Sequence, residues 1–146
     1  MDYKNIMTIL KNRGYKNTPQ REAIIRVLSS NHNNILTAEE ILALAKRYND
    51  STNLTTVYRN LELLEKEALL YKVIHPEGYM AFKLSCKHEH HHHLICTQCG
   101  AIEVLDYCPL SAIKDIAQAK SFEVTGHIVE IYGICKNCQV ISVKKS

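Results

Sequence analysis

The sequence predicts an α+β protein in two parts: a helical first half closed by a β-hairpin, and a smaller second half of mixed strand and helix. Three observations predict it. Apolar residues recur at the 3–4 spacing of helices through much of residues 18–68. Two strand-like runs, 70–75 and 79–84, then flank Pro76-Glu77-Gly78, a glycine-containing hairpin turn. All six cysteines lie between Cys86 and Cys138, and seven of the eight histidines lie from His75 onward.

The first expected helix starts at Thr18-Pro19-Gln20-Arg21, with Thr18 as cap and Pro19 in the first helical position. Ala23, Ile24, Val27 and Leu28 form its apolar face. Thr37-Ala38-Glu39-Glu40 has the capping-box pattern and opens a second helix, with Ile41, Leu44 and Ala45 inward. A third follows Ser51-Thr52-Asn53. Leu54, Val57, Leu61, Leu64 and Ala68 make its core face, so Thr55, Thr56, Tyr58, Arg59 and Glu62 face outward. Three helices followed by a hairpin is the order of a winged helix-turn-helix domain. It is placed at residues 1–84, with the second domain at 85–146. There, 91–96 and 101–105 read as strands around a cysteine-bearing turn. Residues 109–120 read as a helix with Ile113, Ile116 and Ala117 inward, and 122–134 as a long strand broken near Gly126.

Composition narrows the function. The net charge is +3, but from Lys4 to Arg26 the residues Lys4, Lys11, Arg13, Lys16, Arg21 and Arg26 against Glu22 give a local +5. No apolar run reaches the roughly 18–20 residues of a membrane helix. The first residues, Met1-Asp2-Tyr3-Lys4-Asn5, carry no leader pattern, so the cytoplasm is expected. In a reducing compartment this many cysteines point to metal rather than disulfides.

Cys96-Thr97-Gln98-Cys99 and Cys135-Lys136-Asn137-Cys138 each place two thiolates on one tight turn, with Gly100 relieving the first. Together they make a closed tetrahedral sulfur site suited to structural Zn2+, leaving no position for a substrate. Such sites contribute on the order of 10–16 kcal/mol of apparent binding free energy, so folding of this half should depend on the ion. A redox pair and buried free thiols are the alternatives. His90-His91-His92-His93 leads into Leu94-Ile95-Cys96. In an extended run, His91 and His93 share one face and His90 and His92 the other, so one segment can feed two metal sites. Cys86 and His75 are candidate co-ligands of His91 and His93, a set favouring Zn2+ over Fe2+ or Mn2+. Spacing alone does not bring His75 to Cys86; an exposed turn histidine and a small buried thiol are the alternatives. His127 and an acid, Glu103 or Asp106, are candidates to join His90 and His92 in a secondary site, with His88 and Glu89 also near. Cys108 is read as a buried structural thiol.

With these residues in place, nearly the whole chain resembles the ferric uptake regulator family of bacterial metal-sensing repressors. The resemblance rests on Thr18-Pro19-Gln20-Arg21, on Leu54-Thr55-Thr56-Val57-Tyr58-Arg59-Asn60-Leu61, on the run from His90 through Cys96-Thr97-Gln98-Cys99-Gly100, and on Cys135-Lys136-Asn137-Cys138. It implies a winged-helix domain followed by a small α/β dimerisation domain, and a homodimer on palindromic double-stranded operator DNA. Regulatory metal would close the hinge and orient the two reading heads. It assigns structural zinc to Cys96, Cys99, Cys135 and Cys138. The recognition helix becomes 54–67, with Tyr58 and Arg59 at base edges, Lys16 near the operator's edge, and Arg21 and Thr56 at phosphates.

The sensed metal is argued from departures. Iron- and peroxide-sensing members usually carry a histidine before the Ser/Thr-Ala of the second helix; here Ile35 and Leu36 precede Thr37-Ala38. Cys86 and His75 lie where zinc uptake regulators have ligands, and His91 and His93 match the rest. The resemblance therefore implies zinc-responsive control of zinc uptake genes through a second Zn2+. Fe2+ or Mn2+ in an iron or peroxide sensor is the alternative. The acid completing the family's secondary site aligns near Ser111, and that of peroxide sensors near Val104. No small-molecule substrate and no enzymatic activity are expected. A hydrolytic zinc enzyme would need a nucleophile and base that are not evident, and a zinc store would hold several ions without retaining DNA.

Overall fold

The computed structural model describes residues 2–85, 92–105 and 107–143. The chain divides into two compact units, Met1–Lys87 and His88–Ser146. No helix among the described residues is long and apolar enough to cross a membrane.

The first unit has four helices and a two-stranded wing: α1 Tyr3–Asn12, α2 Pro19–Ser30, α3 Ala38–Ala45, α4 Leu54–Lys66, β1 Leu70–Ile74 and β2 Met80–Leu84. The anticipated caps form. The Thr18 hydroxyl accepts from the Arg21 N–H (3.2 Å). Thr37 accepts from the Glu40 N–H while the Glu40 carboxylate accepts from the Thr37 N–H at 2.8 Å, a reciprocal box. Asn53 caps α4 through Thr56 N–H (2.9 Å). Ala68 does not extend the α4 core face; it ends the helix with φ +56°. Its N–H reaches Glu65 O (2.9 Å) and Leu69 N–H reaches Leu64 O (2.8 Å), which is a Schellman closure.

Helix α1 is additional to the three helices expected. Its Ile6, Met7 and Leu10 join the core of Ala23, Ile24, Leu28, Ile41, Val57, Leu61, Leu64 and Phe82. The wing strands are antiparallel, with Leu70 opposite Leu84 and Ile74 opposite Met80, and Gly78 takes the turn at φ +89°. Leu36 bridges to Phe82 in both directions (3.0 and 2.8 Å), tying the α3 approach to the wing.

The second unit has β3 His92–Cys96, β4 Ile102–Leu105, α5 Leu110–Ala119, β5 Glu130–Gly133 and α6 Lys136–Val143. β3 is central, antiparallel to β4 and parallel to β5. Two expectations change. The long strand shrinks to β5, and residues 121–129 take no regular structure beyond a turn at Ser121. Ile113 and Ile116 of α5 are not inward: they are 45% and 60% exposed, with no cover on that face among the described residues. Helix α6, opening inside the second Cys-x-x-Cys, was not anticipated; its apolar pattern is short and broken by polar residues.

Candidate metal centre and nucleic-acid interface

Four sulfurs converge where β3 ends and α6 begins. Cys96 closes β3, and its turn is fixed by Cys96 N–H to Ala101 O (2.8 Å) and Gly100 N–H to Cys96 O (3.0 Å), with Gly100 at φ +71°. Thr97 N–H donates to Gly133 O (2.9 Å), joining this turn to the end of β5 and hence to Cys135 and Cys138. The Sγ atoms of Cys96, Cys99, Cys135 and Cys138 all lie within 4.8 Å of one another, and Cys99 and Cys135 are 3.7 Å apart. A tetrahedral zinc with bonds near 2.3 Å requires sulfurs about 3.8 Å apart, so the donors fit that ion.

Their acidities are pushed apart. Burial raises the Cys96 thiol, but the N–H groups of Cys135, Cys99 and Gln98 prevail and bring it down to about 6. Cys138 is pushed up to about 12 by hydrogen bonding to Cys135 and Cys99 and by burial. Without an ion, four thiolates this close repel; a divalent cation removes that conflict and releases protons on binding. None of the described cysteines is in a disulfide.

A second cluster joins His92, Cys108 and His127, whose donor atoms lie within 4.8 Å of one another. His127 Nε2 is 3.3 Å from His92 Nε2 and 3.2 Å from Cys108 Sγ. Of the expected secondary set, His92 and His127 meet here. Glu103 is not in the group: it is exposed on β4, opposite Leu94. His90 and Asp106 lie outside the described residues. Cys108 is the member that sequence reasoning missed. The available signal was arithmetic: two cysteines remain after the Cys-x-x-Cys pairs, in a chain crowded with imidazoles.

Of the residues expected to hold the regulatory ion, Cys86 and His91 lie outside the described residues, as do His88 and Glu89. His75 sits just past β1 and is 1% exposed, so it is not an exposed turn histidine. Its ring stacks on Tyr79 with centroids 4.2 Å apart. Nδ1 accepts from Glu77 N–H (3.2 Å) and lies 3.9 Å from the Glu77 carboxylate. Buried Nε2 has no hydrogen-bond partner among the described residues. A buried ring nitrogen calls for a partner; for Nε2 to bind a metal the ring proton must move to Nδ1, exchanging the Glu77 N–H contact for one with the nearby Glu77 carboxylate. His93, in β3, is buried and faces Val104 across the strand pair.

On the helical unit, Thr55, Tyr58, Arg59 and Glu62 of α4 are exposed and Thr56 is half-buried, as the helix period requires. Lys16 is exposed on the loop before α2. Arg21 is committed within the fold: Nε donates to Asn60 Oδ1 (2.8 Å) and Nη1 to the Lys16 carbonyl. Asn60 Nδ2 donates to Thr56 O (2.8 Å). Arg21 thereby fixes the outward face of α4 and the backbone carrying Lys16.

The profile of the Ferric uptake regulator family matches residues 12–132. A ferric uptake regulation protein of Bacillus subtilis is 35% identical over 132 residues, covering 88% of this chain and 89% of the relative. The peroxide-responsive repressor PerR of Staphylococcus saprophyticus is 34% identical over 134 residues, covering 91% and 88%. Among solved structures, the Helicobacter pylori ferric uptake regulator Fur, described as having three functional metal binding sites, superposes with TM-score 0.70 at 27% identity. That match covers 93% of this chain and 90% of the other. A zinc uptake regulator complexed with zinc and DNA matches at TM-score 0.69 over 97% and 95% of the two chains. At 21% identity, that likeness shows the fold alone.

Proposed function

The chain belongs to the ferric uptake regulator family, whose members are metal-responsive transcription regulators and not enzymes, and from that premise we propose that it is a cytoplasmic, zinc-responsive repressor. It works as a homodimer on palindromic operator DNA and controls zinc uptake genes. Structural Zn2+ is held by Cys96, Cys99, Cys135 and Cys138. The sensed Zn2+ is held by His75, Cys86, His91 and His93, and it raises DNA affinity only by as much as it favours the DNA-competent conformation. Tyr58 and Arg59 read base edges. Lys16 lies near the operator's edge, and Arg21 and Thr56 meet phosphates.

The observation that carries the zinc reading is His75, a buried imidazole whose Nε2 lacks a partner among the described residues. Two placements support it against oxygen-rich iron or manganese sites. Ile35 and Leu36, where iron sensors place a histidine, are buried apolar residues. Val104, directly across from His93, supplies no oxygen. A second reading, an iron- or peroxide-responsive regulator, is favoured by the relatives at 34–35% identity.

The test uses duplexes selected from random sequence in the presence of Zn2+, Fe2+ or Mn2+, with the cysteine-bound zinc retained. Zn2+ should restore binding, and His75→Ala and Cys86→Ala should blunt that response. Restoration by Fe2+ or Mn2+ alone would replace the zinc reading with the second. Arg59→Ala should relax base preference by about 1–3 kcal/mol at one position.

A further inference from the structure

Residues 13–17 connect α1 to the start of α2 and carry Lys16. A short exposed connection of this kind is ordinarily mobile, yet this one is tied down along its length. Gly14, at φ +87°, closes α1: its N–H reaches Lys11 O (3.0 Å) and the Tyr15 N–H reaches Leu10 O (3.0 Å). Arg13 and Tyr15 then cross to one residue, 54 and 52 positions away: Glu67, at the C-terminal cap of α4. The Tyr15 hydroxyl donates to Glu67 Oε1 (2.6 Å). Arg13 Nη1 donates to Glu67 Oε2 (2.5 Å) and to the Glu67 carbonyl (3.0 Å). From α2, Arg21 holds the Lys16 carbonyl through Nη1 and Asn60 of α4 through Nε. The strap is thus fastened to α4 at its C-terminal cap and, by way of Arg21, at Asn60. Of residues 13–17, Tyr15 packs against the core, while Arg13, Gly14, Lys16 and Asn17 are exposed. The polar ties therefore order a segment whose other product is the position of Lys16.

We propose that Glu67 is a positioning residue for operator recognition: through Tyr15 and Arg13 it holds the strap that presents Lys16 at a fixed place relative to Tyr58 and Arg59 on α4. This role rests on the reading of Lys16, Tyr58 and Arg59 as DNA contacts, and it adds what keeps those contacts in register. Arg59 and Glu67 belong to one helix, about 12 Å apart along its axis. A strap fastened to that helix moves with it as one body, so Lys16 and the base-reading residues arrive together. With the strap already ordered, Lys16 makes its contact at no ordering cost. With the strap loosened, fixing even one residue at the moment of binding costs roughly 5- to 30-fold in affinity. The sign of the effect separates this role from simple charge. Glu67 is an acid in a unit that meets a polyanion, so electrostatics alone would make its removal tighten DNA binding. The positioning role requires the opposite.

The experiment measures the affinity of the full-length, metal-loaded protein for the selected duplex by fluorescence anisotropy at several salt concentrations. Glu67→Ala and Tyr15→Phe are each made with Lys16 in place and with Lys16→Ala. Tyr15→Phe keeps the ring on the core and removes only the hydroxyl, so it reads the same tie where Glu67→Ala costs too much stability. Lys16→Ala should weaken binding and lower the slope of log affinity against log salt by about 1. With Lys16 in place, Glu67→Ala should weaken binding roughly 5- to 30-fold, and Tyr15→Phe should weaken it less. In the Lys16→Ala protein both substitutions should fall within about twofold of neutral, the usual additivity error. A merely structural role would cost the same in both backgrounds. Equal losses in the two backgrounds, or unchanged or tighter binding by Glu67→Ala, would overturn the positioning role. Unaltered affinity and salt slope in Lys16→Ala would overturn it as well, by removing Lys16 from the DNA. Every comparison is made with whichever ion restores binding, so a wrong choice of sensed metal would not be mistaken for failure here.

Discussion

Replacing Asn60 with alanine tests whether the recognition helix is aimed by a buried polar clamp. Asn60 is 6% exposed, accepts from Arg21 Nε at 2.8 Å and donates to Thr56 O at 2.8 Å. A hydrogen bond to a charged group contributes roughly 1.5–3 kcal/mol. Burial draws the Arg21 guanidinium below its ordinary acidity range, yet the group is only partly enclosed, so solvent screening argues for about 1–1.5 kcal/mol. The bond to Thr56 O adds little, because that carbonyl already serves the helix ladder. At roughly 4–8 °C per kcal/mol for a unit of this size, Asn60→Ala should lower the melting temperature of the winged-helix unit by about 4–12 °C. The assay is a double-mutant cycle with Arg21→Ala, by urea unfolding of zinc-loaded protein. A coupling energy near 1 kcal/mol is expected. Coupling below about 0.3 kcal/mol, the usual additivity error, would refute the clamp.

Ala68→Gly should stabilise by about 1 kcal/mol, since Ala68 is exposed and holds φ +56°, where an L side chain is strained; thermal unfolding checks it. Chelating the cysteine-bound ion should unfold the second unit while the helical far-ultraviolet signal of the first persists. The Tyr15 hydroxyl and then Arg13 hold the Glu67 carboxyl below its usual range. Glu67's contribution to stability is therefore complete above the ordinary glutamate pKa and is lost as pH falls through the depressed value. Glu67→Gln should flatten that acid limb in pH-dependent unfolding. Tyr15, raised mainly by its bond to Glu67, behaves oppositely: its contribution is complete below the ordinary tyrosine pKa and is lost as pH rises through the raised one.

The helical unit was readable where local chemistry sets the outcome. Thr18-Pro19 and Thr37 to Glu40 cap helices through side chains three residues away, so residue type and spacing are sufficient. Helix α1 escaped because its apolar residues, Ile6, Met7 and Leu10, sit among lysines and asparagines without a capping side chain. The four-cysteine site was legible because each ligand pair lies on its own turn. The second cluster was only half legible: the alternation of β3 aims His92, but Cys108 reaches it through an irregular path that no periodicity encodes. His127 was expected in a strand, and it reaches the cluster from a segment without regular pairing.

The two units draw on different sources of stability. Among the described residues, the fully buried apolar side chains of the first unit run from Ile6 to Leu84, whereas the second unit contributes Ile95, Cys96 and Cys138. A unit with so small an apolar core cannot offset its chain entropy by burial alone. Two of those three residues belong to the four-cysteine cluster, and the polar side chains it buries, His92 and His93, are imidazoles. Its outward apolar residues, among them Ile113, Ile116, Phe122, Ile128 and Ile131, form the surface that a second copy would cover in the proposed dimer. Metal occupancy and dimerisation should then be thermodynamically linked: each stabilises the fold that the other requires. In sedimentation experiments, removing the cysteine-bound metal should dissociate the proposed dimer, and raising protein concentration should slow metal loss to a chelator. Dimer that persists without that ion would show the unit to be held by its apolar face alone.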